Sequence, residues 1–360
     1  MLRVEDLDTP AVIILLDRLT SNIERVQGLI ARQGIGNRPH IKTHKIPAIG
    51  RMQIEAGAVG LTCQKLGELE VFIDANVCDD YLLSYNIVGL RKTDRLMQLS
   101  SRVKRLAVVA DNDVVLRGLS EAGLRHSRDI PLLIECDTGF GRNGVQSPEA
   151  ALDLARLALK LPRIAFEGLM VFPNSAPDTH EFFSRALKLF RAAGIALPVV
   201  SGGGTPALNR LAEFPMMTEH RAGTYVYNDV MMVQSGVASW QDCALQVRAT
   251  VVSRPTAARA VLDCGSKVLT SDQYYVQHYG RLASYPGAFI SALSEEHAIV
   301  DLTNAPRRPK IGEVVEVIPN HCCSVSNMND EVYGVRNGVV EITWPVAARG
   351  KVRGCASRSP

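Results

Sequence analysis

Residues 37–45 read Asn-Arg-Pro-His-Ile-Lys-Thr-His-Lys, a stretch with two lysines and two histidines. If it ends a strand, alternation puts His40, Lys42 and His44 on one face and turns Lys45 to the other. A lysine on an inward face is costly as an ammonium, because burial disfavours the charged form. Condensing the amine with an aldehyde cofactor removes that cost and makes the lysine a covalent anchor. The residues alone equally allow two surface lysines beside a helix start.

Two other stretches bear on that choice. "VVSGGGT" (199–205) is an apolar run ending in three glycines and a threonine, and "HRAGTYVYND" (220–229) is the next strand-like run. Backbone N–H groups and hydroxyls in such loops bind phosphate. In a barrel of strand–helix units the phosphate site lies after strands 7 and 8. A lysine on strand 1 facing that cup is what pyridoxal phosphate requires. In a further stretch, "PNHCCSVSN" (319–327), His321 and Cys323 are two residues apart. On an extended segment they share a face and Cys322 points away. Imidazole with thiolate suits zinc, although a histidine beside two cysteines is also compatible with a purely structural role.

The elements that must position these residues follow from apolar patterning. Candidate strands recur at "HIKTH", "AVGLTC", "DDYLLSYN", "LAVVAD", "LLIECD", "FEGLMVF", "LPVVSGGG" and "GTYVYND". Helical patterns separate most of them, for example at 64–75, 148–160 and 180–194. "DRLTSNIERVQGLIARQ" (17–33) carries Leu19, Ile23, Val26 and Ile30 at helical spacing, with Ser21 and Glu24 as a capping box. The expectation is a (β/α)8 TIM-type barrel over 17–235. An open doubly wound sheet is the competing architecture, but no Gly-rich dinucleotide fingerprint follows the first strand. From 236 to 360 short strands divided by turn residues predict a smaller β-rich domain, joined by the strand in residues 1–16.

Bulk properties exclude several classes. A chain of 360 residues holds a large domain plus a smaller one. Charged residues make up 21% and the formal net charge is +3, which gives no nucleic-acid footprint. "RRPK" (307–310) and the tail from Ala348 onward read as solvated surface. No apolar run approaches the roughly 18–20 residues of a membrane span, and "AVIILL" (11–16) follows an acidic start unlike a signal peptide. The eight cysteines lack a framework spacing, so reduced thiols in a cytoplasmic protein are expected. Cys136 and Cys264 read as small buried residues.

At this point the sequence resembles the fold-type III pyridoxal-phosphate enzymes of the D-threonine aldolase and D-serine dehydratase group. "LDTPA", "RPHIKTHK", "CDTGFGRNGV", "VVSGGGTP", "HRAGTYVYND" and "PNHCCSVSN" carry the resemblance along nearly the whole chain. It implies an alanine-racemase-like barrel plus a β-domain, usually a homodimer with sites near the subunit interface. It makes Lys42 the cofactor lysine and sets Arg142 near the cofactor ring, where like-charge repulsion disfavours ring protonation. Ser201, Gly203, Gly204, Thr205, Gly223 and Thr224 become the phosphate cup. His321 and Cys323 become ligands of a divalent metal, zinc or else manganese or magnesium.

The implied activity is a lyase acting on small D-β-hydroxy-α-amino acids, of the D-threonine aldolase type. A D-serine dehydratase type is the alternative, followed by a racemase of the same fold and a non-catalytic pyridoxal-phosphate carrier. One departure stands out. Where the aldolase pattern has a histidine after the sixth strand, this chain reads "GLMVFPNSAPDTH" (168–180). Pro173 or Asn174 holds that place, and His180 is the nearest histidine.

Overall fold

The computed structural model describes residues 2–353. The chain divides into two compact units and passes between them several times. One unit holds Val26–Lys42 and Pro47–Gly223; the other holds the residues up to Arg25, Thr43–Ile46 and Thr224–Arg349.

Strand β1 (Ala11–Leu15) belongs to the second unit. The first contains β2 (Gly36–Asn37), β3 (Leu61–Cys63), β4 (Asp80–Asn86), β5 (Arg105–Ala110), β6 (Ile130–Cys136), β7 (Ile164–Val171), β8 (Val199–Gly203) and β9 (Glu219–Arg221). All run parallel in the order β2-β9-β8-β7-β6-β5-β4-β3. The ring closes where Thr62 N donates to the Pro39 carbonyl and His40 bridges Thr62. Helices such as Leu66–Asp74, Pro148–Lys160 and Thr179–Ala192 alternate with the strands. Leu82, Ala107, Val109, Leu133 and Met170 form a buried cluster contributed by successive strands. This is the (β/α)8 barrel expected from the patterning.

Its first and last strands are not where the sequence pointed. The first is Gly36–Asn37, and "HIKTH" is a bridge at His40 followed by a 3₁₀ turn, Ile41–Thr43. Pro39 has no N–H to give to a ladder, so regular pairing stops there. The alternation assumed for His40, Lys42 and His44 therefore fails. The last strand is Glu219–Arg221, whereas "GTYVYND" forms a 3₁₀ turn, Thr224–Val226, leading to a helix, Val230–Gln234. Asp229 caps that helix by accepting from Met232 N at 3.0 Å. The aromatic run Tyr225–Tyr227 imitates a strand only in composition. The helix at residues 17–33 also begins earlier, at Leu16, so Ser21 and Glu24 lie inside it and form no capping box.

In the second unit β1 joins β10 (Leu245–Thr256), β11 (Arg259–Leu262), β12 (Gly280–Leu282), β13 (Phe289–Leu293), β14 (Ala298–Asp301), β15 (Val314–Pro319), β16 (Glu331–Arg336) and β17 (Val339–Pro345). The order is β11-β14-β13-β12-β15-β10-β1-β16-β17, and β11 also pairs with β10, so six strands close into a ring. β1 sits inside the sheet, antiparallel to β10 and parallel to β16.

Among the described residues no helix is long and apolar enough to cross a membrane. Arg307, Arg308 and Lys310 are exposed, as expected for "RRPK". The expectation for the tail falls in part on residues 354–360, outside the described residues. The described cysteines are all free thiols, with Cys136 and Cys264 buried.

Candidate active site

Lys42 sits in the turn Ile41–Thr43, at the end of the first barrel strand's path. Its amide lies 3.3 Å from His40 Nδ1. His40, Lys42, Gln64, Arg142, Phe172 and Arg221 line one pocket of the barrel unit. Lys42 Nζ is 5.3 Å and the Arg142 guanidinium carbon 4.8 Å from the centroid of the Phe172 ring, so one phenyl group serves two cations. His40 Nε2 lies 3.0 Å from Gln64 Oε1. Burial, reinforced by the Lys42 charge, holds the His40 imidazole well below its usual range. It is therefore neutral at physiological pH.

Arg142 lies on the loop after β6. Asp137 Oδ1 organises that loop by accepting from Phe140 N at 2.9 Å and Gly141 N at 3.1 Å. Gly144, with φ +128°, is required there, since a Cβ would lie 2.4 Å from Asp137 N. Buried Glu135 faces Arg142 Nη2 at 3.4 Å and accepts from Asn143 Nδ2 at 2.7 Å. Burial pushes the Glu135 carboxyl up to about 6, with Arg142 and Arg221 pulling the other way.

Sequence reasoning missed Arg221. It ends β9, is 4% exposed, and donates to the Val171 carbonyl at 2.9 Å and to the Ser201 hydroxyl. Ser201 Oγ in turn donates to Glu219 Oε1. Glu219 pairs with Arg38 at 2.8 Å, Arg38 with Asp80 at 2.7 Å, and Asp80 with Arg105 at 2.8 Å, which also pairs with Glu167. Asp80, Arg105 and Glu219 open their strands and Arg221 closes one. A ladder of alternating charge thus climbs from the N-terminal ends of the strands to the Lys42 pocket. Burial pulls the Arg221 guanidinium down to about 10, against the carboxylates of Glu219 and Glu135. The signal in the sequence was an arginine inside the apolar run "HRAGTYV".

Of the expected phosphate-cup residues, Ser201, Gly203, Gly204, Thr205 and Gly223 lie in the barrel unit at or just after the ends of β8 and β9, where Gly203 is in register with Arg221. Gly204 has φ +111°, and a Cβ on Gly203 would lie 3.0 Å from Arg221 Nη2. Ser201 commits its hydroxyl to the ladder, while Thr205 Oγ1 is buried with no partner among the described residues. A backbone stripped of side chains, an unpaired hydroxyl and two arginines fit the anionic pyridoxal phosphate. Gly223 is the last residue of the barrel unit and Thr224 the first of the next segment.

Thr224 falls within the second unit with the proposed metal pair. Its Oγ1 lies 3.7 Å from Cys323 Sγ, and Thr43 Oγ1 lies 3.2 Å from the same sulfur. His321 Nδ1 is 2.7 Å from Asp272 Oδ2. Cys322 and Cys323 open a helix, Cys322–Met328, rather than an extended segment. The alternation that would turn Cys322 away therefore does not apply, and Cys322 is buried at the helix start. The neighbouring Cys322 thiol and His321 hold the Cys323 thiol well below its usual range despite burial. Burial alone would lower the His321 imidazole, but Cys323 and Asp272 raise it to about 10. At neutral pH the ring therefore carries a second proton, which a borderline-soft divalent cation would displace to bind imidazole nitrogen and thiolate sulfur together. Among the described residues no group of three or more His, Cys, Asp or Glu side chains could hold a metal ion.

Asn174, at the place of the aldolase histidine, is fully buried with both amide atoms unpaired among the described residues. His180 is exposed on the helix Thr179–Ala192.

Residues 14–230 match the family model of the alanine racemase N-terminal domain, and 244–335 match a putative serine dehydratase domain. A D-threonine aldolase of Arthrobacter sp is 32% identical, over 95% of this chain and 93% of its own. The crystal structure of D-threonine aldolase from Filomicrobium marinum aligns with a TM-score of 0.88 at 29% identity, covering 97% of each chain. A cysteine-to-alanine mutant of D-threo-3-hydroxyaspartate dehydratase, solved in the metal-free form, aligns with a TM-score of 0.83 at 26% identity, over 96% of this chain and 99% of that one. With the barrel, the second unit and both domain models in agreement, the chain belongs to the pyridoxal-phosphate-dependent lyases with an alanine-racemase-like barrel, the family that includes D-threonine aldolase and D-serine dehydratase.

Proposed function

We propose that this enzyme cleaves D-configured β-hydroxy-α-amino acids to glycine and an aldehyde, with Lys42 as the cofactor lysine and His321 and Cys323 as metal ligands. The observation that carries the reading is the pair of His321 and Cys323 at the start of the helix Cys322–Met328, in a chain similar to D-threonine aldolase over almost its whole length. When bound, pyridoxal phosphate supplies an electron sink for the bond broken at Cα, and a divalent cation supplies a Lewis acid for the β-hydroxyl.

The chain's own residues do the rest. Lys42 anchors the cofactor and exchanges it for the substrate amine, after which its own amine can take or return a proton at Cα. Arg142 and Arg221 bring positive charge to the pocket, which disfavours protonation of a bound ring. Phe172 gives that pocket an apolar wall. The glycines 203, 204 and 223 with Thr205 receive the phosphate.

Asn174 supports a second reading. With no histidine at that place, the Lys42 amine can act as base at Cα, and loss of the hydroxyl gives a keto acid and ammonia, as in a D-serine dehydratase. Product analysis with D-threonine and D-serine, with and without chelator, decides between them. Glycine and acetaldehyde from D-threonine support the aldolase; keto acids and ammonia support the dehydratase. Equal consumption of D- and L-isomers, or interconversion without cleavage, overturns both and points to a racemase.

A further inference from the structure

Asp272 has no part in the reading given so far, yet it makes the shortest polar contact of His321. Its Oδ2 lies 2.7 Å from His321 Nδ1 and accepts from Ser324 Oγ at 2.6 Å. Ser324 Oγ is itself 3.3 Å from His321 Nδ1, so a carboxylate and a hydroxyl grip one edge of the imidazole. Tyr274 meets the ring edge-on, with centroids 5.4 Å apart and planes at 85°. Asp272 is fixed in turn, since its backbone carbonyl faces Asn320 Nδ2 at 3.4 Å. All of these residues lie in the second unit.

A neutral imidazole carries one proton, and the nitrogen that donates it cannot also bind a cation. A carboxylate on Nδ1 holds the proton there and leaves the Nε2 lone pair for a ligand. It also prevents ring rotation and raises the basicity of the donor atom. We propose that Asp272, held by Ser324, is a positioning residue for the metal site: it fixes the tautomer and orientation of His321 and thereby sets the affinity for the divalent cation. Asp272 is not counted as a ligand, because it forms no metal-holding group of three with His321 and Cys323 among the described residues. This rests on His321 and Cys323 being the ligands, as proposed above.

The test is zinc affinity of the pyridoxal-phosphate-loaded full chain, measured by competition with a chromophoric chelator, together with the visible spectrum of the cobalt(II)-loaded protein. Asp272→Ala and the isosteric Asp272→Asn are expected to weaken zinc binding about 10–100-fold. The cobalt spectrum should keep its wild-type form, since both ligands remain. Ser324→Ala, which keeps the Asp272 carboxylate on His321, should give a smaller loss in the same direction. His321→Ala should abolish tight binding and change the cobalt spectrum. Wild-type affinity in all three Asp272 and Ser324 variants overturns the inference while leaving the ligand assignment standing. A cobalt spectrum altered in Asp272→Ala as in His321→Ala also overturns it, by making Asp272 a ligand. Unchanged affinity in His321→Ala overturns both the ligand assignment and the inference.

Discussion

Ser201 Oγ donates to Glu219 Oε1 at 2.6 Å and accepts from Arg221, so the hydroxyl is a rung between two buried charges. Removing one partner of a buried ion pair leaves an uncompensated charge, at about 3–5 kcal/mol. Glu219→Ala should therefore lower unfolding stability by about that amount, measured by urea titration. Arg38→Met combined with Glu219→Leu should recover much of the loss, because neither charge is then left alone.

Lys42 and Lys45 are separated by the structure more sharply than by the sequence. Lys42 lies in the pocket with Arg142 and Arg221, whereas Lys45 falls in the second unit with φ 57°, its carbonyl accepting from Ala348 N. Borohydride reduction and peptide mapping should find the pyridoxyl label on Lys42. Lys42→Ala should lose turnover by several orders of magnitude with its circular dichroism intact. Label on Lys45 would defeat the assignment.

Chelation should remove activity reversibly, and His321→Ala or Cys323→Ser should lower kcat by orders of magnitude while the cofactor's visible band remains. Cys322→Ser is expected to matter more than an outward-facing residue would, because Cys322 is fully buried beside Cys323 at the helix start. A several-fold loss of zinc affinity in Cys322→Ser, with Cys322→Ala at least as weak, would agree with that contact. No change in either would refute it.

Glu135 links stability to pH in the cofactor-free protein. Its carboxyl is raised from 4.5 to about 6 by burial, so between those values the folded state keeps a proton that the unfolded chain has lost. Stability contributed by the neutral form is complete below pH 4.5 and falls as pH rises through about 6, by about 2 kcal/mol. Denaturation at pH 4 and pH 7 should show that component, and Glu135→Gln should abolish it.

Elements with long periodic runs were legible in the sequence. The helix Pro148–Lys160 and strands such as β5 and β15 lie where apolar patterning puts them. Short elements were not: β12 and β13, of three and five residues, carry too few apolar positions to show a period. The barrel's first strand failed because Pro39 and a 3₁₀ turn replace the alternation that "HIKTHK" suggests. At the site, residue types singled out Lys42 and the His321–Cys323 pair, and the family resemblance added Arg142. The ladder behind Arg221 was not legible, because Arg38, Asp80, Arg105, Glu167 and Glu219 are scattered along the chain and meet only through barrel closure. Asp272 was missed for the same reason, being 49 positions from its partner.

Strand β1 lies between β10 and β16, although some 230 residues of chain separate it from β10. The segment Thr43–Ile46 likewise belongs with the later residues: Ser326 Oγ donates to the His44 carbonyl at 3.2 Å. A hybrid gene joined to a homologue at one breakpoint near residue 236 would therefore carry a foreign strand in the middle of its sheet and a foreign loop beside its helix at 322–328. Recombination among relatives can exchange the second unit intact only if β1 and the short 43–46 segment travel with it, which no single crossover achieves. Such enzymes should diversify by point substitution within an inherited whole rather than by swapping parts.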